Sequence, residues 1–205
     1  MNANLKIDFI DNIDEINANH WHNLNNSPCP FLRYDFFKAL ESSQSANSKQ
    51  GWQPHHLIAK TKNETMAVMP MYLKNHSWGE YVFDWDWAEA FKRYNVNYYP
   101  KLVATIPFTP VSSSKLLSSK VGMNELFTPL TEHCQQEAIN SWHILFCDEI
   151  ESDLPEDIYH RNTVQFHWFN QNYNSFDDYL SSFTSRKRKN TSKVFFLLRE
   201  VNELR

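Results

Sequence analysis

Glycine is nearly missing from this chain. Only Gly51, Gly79 and Gly122 occur in 205 residues, too scattered for the close backbone approach that a glycine-rich phosphate cradle requires. That excludes P-loop and Rossmann-type nucleotide sites. Cysteine is equally sparse: Cys29, Cys134 and Cys147 stand far apart without a CxxC pair, which argues against a disulfide framework and against a cysteine-ligated structural zinc. A reducing compartment is expected. No window reaches the roughly 18 apolar residues of a membrane span, and the opening MNANLKIDFIDNIDEI lacks the basic region and apolar run of a signal peptide. The expected location is the cytoplasm. No serine lies in a GxSxG turn and no cysteine has a context that favours its thiolate, so covalent nucleophilic hydrolysis has no support.

Aromatic residues, by contrast, are abundant. They make up 15% of the chain, as seven Trp, nine Tyr and fifteen Phe, within 41% hydrophobic residues. The length suits one sizeable core with an appendage. Net charge is −4, unevenly placed: residues 186–205 carry seven Lys/Arg against two Glu, a net of +5, which leaves −9 on the rest. The tail is electrostatically foreign to the body.

Periodicity predicts a first helix over residues 12–25, with Ile13, Ile16, His20, Trp21 and Leu24 at helical spacing behind an Asp11 or Asn12 cap. The SPCP segment breaks it, and a second helix follows around Phe36, Phe37 and Leu40. Residues 53–60 and 65–73 flank the polar tetrad 61–64 as a β-hairpin, with Pro70 marking an edge, bulge or break. A short amphipathic helix is expected from Ala88 to Tyr94, an extended segment in YYPKLVATIPFTPV, a helix over 123–140 around Pro129, and strands at SWHILFCD and TVQFHWFN. A new helical stretch starts after the Asn174 or Ser175 cap. The expected fold is α/β, a mixed and largely antiparallel sheet with helices on both faces.

Residues 76–87, HSWGEYVFDWDW, mix aromatic rings with carboxylates as a ligand cleft does. Candidate substrate contacts are His76, Glu80, Tyr81, Asp84 and Asp86, with Trp85, Trp87 and Tyr99 as walls and Lys101 as an anion anchor. A carboxylate here serves as a general base only where burial raises its pKa. The same pattern also describes an aromatic core with acids at its solvent edge, and spacing does not decide between them. The nine histidines give no metal-ligand spacing. His20 and His22 point about 200° apart on a helix, and His55 and His56 face opposite sides of a strand, so no metal is expected. The basic run SRKRKNTSK matches either a phosphate-backbone contact through Arg186, Lys187, Arg188 and Lys189 or a solvated helix start.

PCPFLRYDFFKALE, GWQPHHLIAK, MAVMPMYLKNHSWGEYVFDWDWAEAF, YYPKLVATIPFTPV and QFHWFNQNYNSFDDYLSSFTSRKRKN together resemble the bacterial FemAB-like group of peptidoglycan biosynthesis or recognition proteins, within the GNAT acyltransferase superfamily. The resemblance implies two tandem GNAT-like domains, here an N-terminal one over residues 1–174 and the start of a second, truncated one over 175–205. After Asn190 the chain reads TSKVFFLLREVNELR, unlike the family, and a frameshift or truncation is the expectation. By resemblance the activity is acyl or aminoacyl transfer to an amine, such as that of a peptidoglycan precursor. Acyl-CoA or aminoacyl-tRNA would be the co-substrate of a full-length relative, with tRNA contact through residues 186–189. The pyrophosphate loop Q/R-x-x-G-x-G/A is absent, so no cofactor site is expected in this chain, and catalytic residues remain unassigned. The alternatives are a non-catalytic module that recognises a cell-wall peptide or other polar ligand, and a remnant without function. The apolar run VFFLL at 194–198 suggests a homodimer.

Overall fold

The computed structural model describes residues 5–62, 64–147 and 154–203, the last eight by backbone alone. It divides into two compact units, residues 1–160 and 161–205. Among the described residues there are eight strands in two four-stranded sheets, and six α-helices. All strand pairs are antiparallel except one. The mixed, largely antiparallel α/β class expected from the sequence is what forms, with two sheets in place of one.

The chain opens with a strand that the sequence reading did not anticipate, β1 (Lys6–Ile10). It pairs with β3 (His56–Lys60) from Lys6 opposite Lys60 to Ile10 opposite His56. The expected first helix is split into a 3-10 turn, Ile13–Glu15, and α1 (Ala18–Leu24). The Asn12 and Asn17 side chains each accept a backbone N–H two residues on, so each segment has its own cap. His20, expected on the apolar face of this helix, is exposed. After the proline break, α2 (Tyr34–Ser42) buries Tyr34 and Phe37, one helical turn apart. Trp21 is fully buried and donates its indole N–H to the Leu32 carbonyl at 2.9 Å.

The predicted hairpin exists and is bent in the middle; Asn63 in its turn lies outside the described residues. One arm is β2 (Gln53–Pro54) and β3, interrupted at His55; the other is β4 (Thr65–Met69) and β5 (Met71–Lys74), interrupted at Pro70. Proline offers no N–H to the ladder. The ladder order of one sheet is β1-β3-β4-β7 and of the other β2-β5-β6-β8. Pro70 therefore marks a break between central strands, and a single hairpin feeds both sheets. At the break the Met71 N–H donates to His56 Nδ1 at 3.1 Å, and His56 Nε2 lies 2.9 Å from Glu41 Oε1. Because Nδ1 accepts, Nε2 carries the proton and donates. The other Glu41 oxygen accepts the Ile13 N–H at 2.9 Å.

The hairpin is buried on both faces, so its strands read as nearly unbroken apolar runs. Ile58, Val68 and Tyr72 face a core with Trp21, Phe37 and Trp52. Leu57, Ala59, Ala67, Met69 and Met71 face a second core with Leu126, Leu130 and Cys134 of α4 (Asn124–Gln136). Helices thus cover both faces. The segment around YYPKLVATIPFTPV contributes β6 (Lys101–Ala104), and β7 (Leu117–Ser118) closes the first sheet. The other sheet ends in β8 (Ser141–Ile144), parallel to β6. The short helix α3 (Trp85–Arg93) begins three residues earlier than periodicity suggested and buries no residue.

In the second unit, TVQFHWFN forms no strand; residues 163–170 are irregular and mostly exposed. Among the described residues no strand lies in ladder with this segment, and without one, strand hydrogen bonding is not satisfied. The expected capped helix is present as α5 (Phe176–Ser181), with the Ser175 hydroxyl accepting the Asp178 N–H at 3.1 Å. The basic run starts α6 (Ser185–Glu203). Val194 and Phe195 of the apolar run are exposed, and residues 196–198 lie outside the described side chains.

His56→Ala removes the acceptor for the buried Met71 N–H and the donor to Glu41 together. The expected loss is about 2–3 kcal/mol of folding stability, read as a lower urea midpoint; an unchanged midpoint would show the bend does not depend on this imidazole.

Candidate functional site

β5 and β6 run antiparallel with Lys74 directly opposite Lys101. Both side chains are buried, at 0% and 1% exposure. Two like charges facing each other across a sheet repel, and burial deepens the cost. The segment that follows β5 supplies the remedy. Lys101 Nζ lies 2.7 Å from Glu80 Oε2, 2.6 Å from Asp84 Oδ2 and 2.8 Å from Ser77 Oγ. An ammonium has three protons, and here all three are given to the protein. Tyr98 donates to the same Asp84 oxygen at 2.7 Å, and the Ser77 hydroxyl is 2.8 Å from that of Tyr99.

Lys74 is placed differently. Its ammonium sits 3.3 Å from the centre of the Trp52 ring and donates to the Trp78 carbonyl at 3.2 Å. Burial, opposed by Glu80 and aided by Lys101, pushes its pKa down to about 7. Burial likewise raises Glu80, against the pull of Lys101. Asp84 also feels burial, but hydrogen bonds from Lys101 and Tyr98 overcome it and leave its pKa below the ordinary value. Within the cluster Glu80 Oε1 and Asp84 Oδ1 are buried oxygens with no hydrogen-bond partner. Unsatisfied buried acceptors cost free energy, so this cluster fixes geometry more than it adds stability.

Residues 75–84 reach the cluster by crossing over Gly51 and Trp52. Gly79 has φ +80°, and a Cβ there would stand 2.8 Å from the Phe108 ring and 3.2 Å from Trp52. A Cβ on Gly51, at φ +68°, would collide with the His76 ring. Two of the three glycines thus serve this one crossing. His76 is half-buried, and burial followed by the nearby Lys74 lowers its pKa.

The sequence motif is therefore turned inside out relative to an aromatic core with acids at its rim. Glu80 and Asp84 are inside, whereas Trp78, Tyr81, Phe83, Trp85 and Trp87 are 68%, 54%, 75%, 41% and 53% exposed. Of the nine residues singled out, Glu80, Asp84, Tyr99 and Lys101 meet in one network. His76 lies at its edge, and Tyr81, Trp85, Asp86 and Trp87 present themselves to solvent. Trp78 and Trp85 contact each other with ring centres 5.1 Å apart. Lys101 holds internal carboxylates, so its ammonium is not offered to an external anion. Lys74 escaped the sequence reading, and Ser77 and Tyr98, though within the aromatic segments, were not among the candidate contacts; the signal for Lys74 was its place on the same strand face as Tyr72, two residues away in an otherwise apolar run.

The comparisons with known proteins bear on this segment directly. The family of peptidoglycan biosynthesis/recognition proteins termed FemAB-like matches residues 12–194. The chain belongs to the FemAB-like family. That match spans both the inward ion network and the outward aromatic segment, and placement of this FemAB-like chain in the GNAT superfamily is consistent with it. The family points to a peptidoglycan-related transferase or recognition function, with a peptide or precursor as partner. No curated protein and no solved structure matches. Among the described residues, no helix of the FemAB-like chain is long and apolar enough to cross a membrane.

The basic residues of α6 are not equivalent. Arg188 donates to the carbonyls of Leu180, Ser181 and Phe183 at 3.0, 3.1 and 3.3 Å, closing the C-terminal end of α5 where cations are favoured. Lys187 lies 4.6 Å from the Phe183 ring centre. Arg186 and Lys189 are exposed.

Two outcomes test the network. Lys101→Met leaves two buried carboxylates without their shared cation, and a loss of about 3–5 kcal/mol is expected in chemical denaturation. Lys74 gives up its proton near 7 when folded and near 10.5 when unfolded. Between those values the unfolded state binds more protons, so this group's contribution to stability rises with pH. The stability of the wild type relative to Lys74→Met should climb across that window; a flat difference would mean the folded lysine is not desolvated.

Proposed function

We propose that this chain supplies the recognition half of a FemAB-like N-acyl transfer, binding the amine acceptor, a peptidoglycan precursor, through the aromatic segment 78–87. One observation carries this reading: five large aromatic side chains within ten residues stand exposed on a backbone anchored by buried ions. Exposed aromatic surface of this kind marks ligand-binding surfaces, and Trp and Tyr offer flat apolar faces with polar handles. Such faces suit the apolar sides of sugar rings and of peptide. Asp86 and Glu89, exposed beside them on α3, suit hydroxyl and ammonium groups.

In this reading the acyl group comes from acyl-CoA or aminoacyl-tRNA whose activated acyl end is held outside this chain. Transfer proceeds by bringing the amine to the activated carbonyl, so proximity supplies much of the rate. Arg186 and Lys189 are then the cations for a tRNA backbone, while Arg188 stays with α5. The cytoplasm, where both donors occur, is the proposed location. The burial of Glu80 and Asp84 favours a second reading, recognition without turnover, because neither carboxylate reaches a bound amine as a base.

The test is tryptophan fluorescence titration with a soluble nucleotide-linked muramyl pentapeptide. Saturable quenching is expected, and Trp85→Ala or Trp87→Ala should weaken binding by about 10-fold without moving the melting temperature. No saturable change in the folded wild type would overturn the recognition reading. Mass spectrometry of the pentapeptide amine after addition of acyl-CoA or charged tRNA separates transfer from recognition alone.

A further inference from the structure

Three residues far apart in the chain converge on one another. Asp11 follows β1, His55 occupies the interruption between β2 and β3, and His133 lies in the last turn of α4. His55 Nδ1 is 2.6 Å from Asp11 Oδ1, and His55 Nε2 is 2.8 Å from His133 Nε2. The two imidazoles are 25° from coplanar with centres 5.0 Å apart, so they meet edge to edge with their Nε2 positions facing. Phe9 floors the pair, stacked 3.6 Å from His133 and 5.1 Å from His55 between ring centres.

An ionised carboxylate only accepts, so His55 Nδ1 bears the proton given to Asp11. With the imidazole neutral, His55 Nε2 is then a bare lone pair, and the one proton between the rings belongs to His133 Nε2. Such a carboxylate-oriented imidazole with a free Nε2 is the arrangement found behind metal-bound histidines. His133 can carry its proton on Nδ1 instead, which leaves both Nε2 lone pairs free and facing each other.

We infer that His55 and His133 form a two-imidazole site for a borderline transition-metal ion such as Zn2+, with Asp11 as the carboxylate that orients His55. Two zinc–nitrogen bonds at a tetrahedral angle place the nitrogens about 3.3 Å apart, so from their head-on contact the rings must part by about half an ångström and each tilt by about 35° to aim Nε2 at the ion. The His55 side chain is 18% exposed and His133 is half-buried, which gives an ion a route in from solvent. Among the described residues no group of three or more His, Cys, Asp or Glu side chains is disposed to hold a metal. The site therefore has two protein ligands and leaves its other positions to water or a small anion, which makes it exchangeable and open rather than a closed structural centre. Residue spacing could not show it: His55 and His133 are 78 positions apart, and the neighbour His56 turns away to Glu41.

Zn2+ titration of the metal-free wild-type chain by calorimetry tests this, with His20→Ala as a control for exposed histidines. One saturable ion per chain is expected, abolished in His55→Ala and in His133→Ala, weakened about 10-fold in Asp11→Asn, and unchanged in His20→Ala. Binding that persists at full stoichiometry in the His55→Ala/His133→Ala double variant, or no saturable binding by the wild type, overturns the site and leaves a proton-sharing pair. Should the histidine variants fail to fold, X-ray absorption of the wild-type zinc complex decides: two imidazole nitrogens at about 2.0 Å support the site, and one or none overturns it.

Discussion

Where Pro70 withholds a backbone proton, one hairpin becomes the shared spine of two sheets. The ladder stops there, Met71 turns its N–H to His56, and His56 is held in turn by Glu41 of the second helix. The helical layer is thereby tied to the point where the strands change sheets. Everything downstream inherits the bend: β5 leaves the first sheet to meet β6, and β6 brings Lys101 opposite Lys74.

That register creates an electrostatic problem whose solution is the loop. Two buried lysines on facing strands stay charged together only with anions nearby, and even here Lys74 gives up its proton near 7. Glu80 and Asp84 come from the same short segment, which must close over Trp52 to reach them. The closure needs a left-handed turn at Gly79 and an unencumbered Gly51. The scarcity of glycine thus has a positive counterpart in how two of the three are used.

The class of fold was legible in the sequence because the strongest signals were local. Turn residues around the hairpin, proline at its centre, the Ser175 cap and the amphipathic pattern of α2 each act within a few residues. β1 was missed because Lys6 and Asp8 read as chain-terminal charge, although their alternation with Ile7 and Phe9 has the period of a strand, realised through pairing with β3. TVQFHWFN misled for the opposite reason: its composition suits a strand, and among the described residues no strand forms a ladder with it. At the site, residue types pointed to the correct segment and could not give the direction of each side chain. Burial of a carboxylate depends on Lys74 and Lys101, which approach through strand pairing, so no spacing rule within residues 76–87 contains it. Arg188 is a parallel case, a cation in a basic run whose role is set by the helix before it.

Inward and outward residues alternate within a single segment: Glu80 and Asp84 hold the frame, while Trp78, Tyr81, Phe83, Trp85 and Trp87 meet the surroundings. Anchoring and contact are therefore assigned to different side chains on the same stretch of backbone. The outward set can be exchanged, ring for ring or ring for polar group, while the ions that define the loop's path stay in place. A change of one outward ring then leaves the ion network untouched, because the two sets of side chains are interleaved along the segment without being shared.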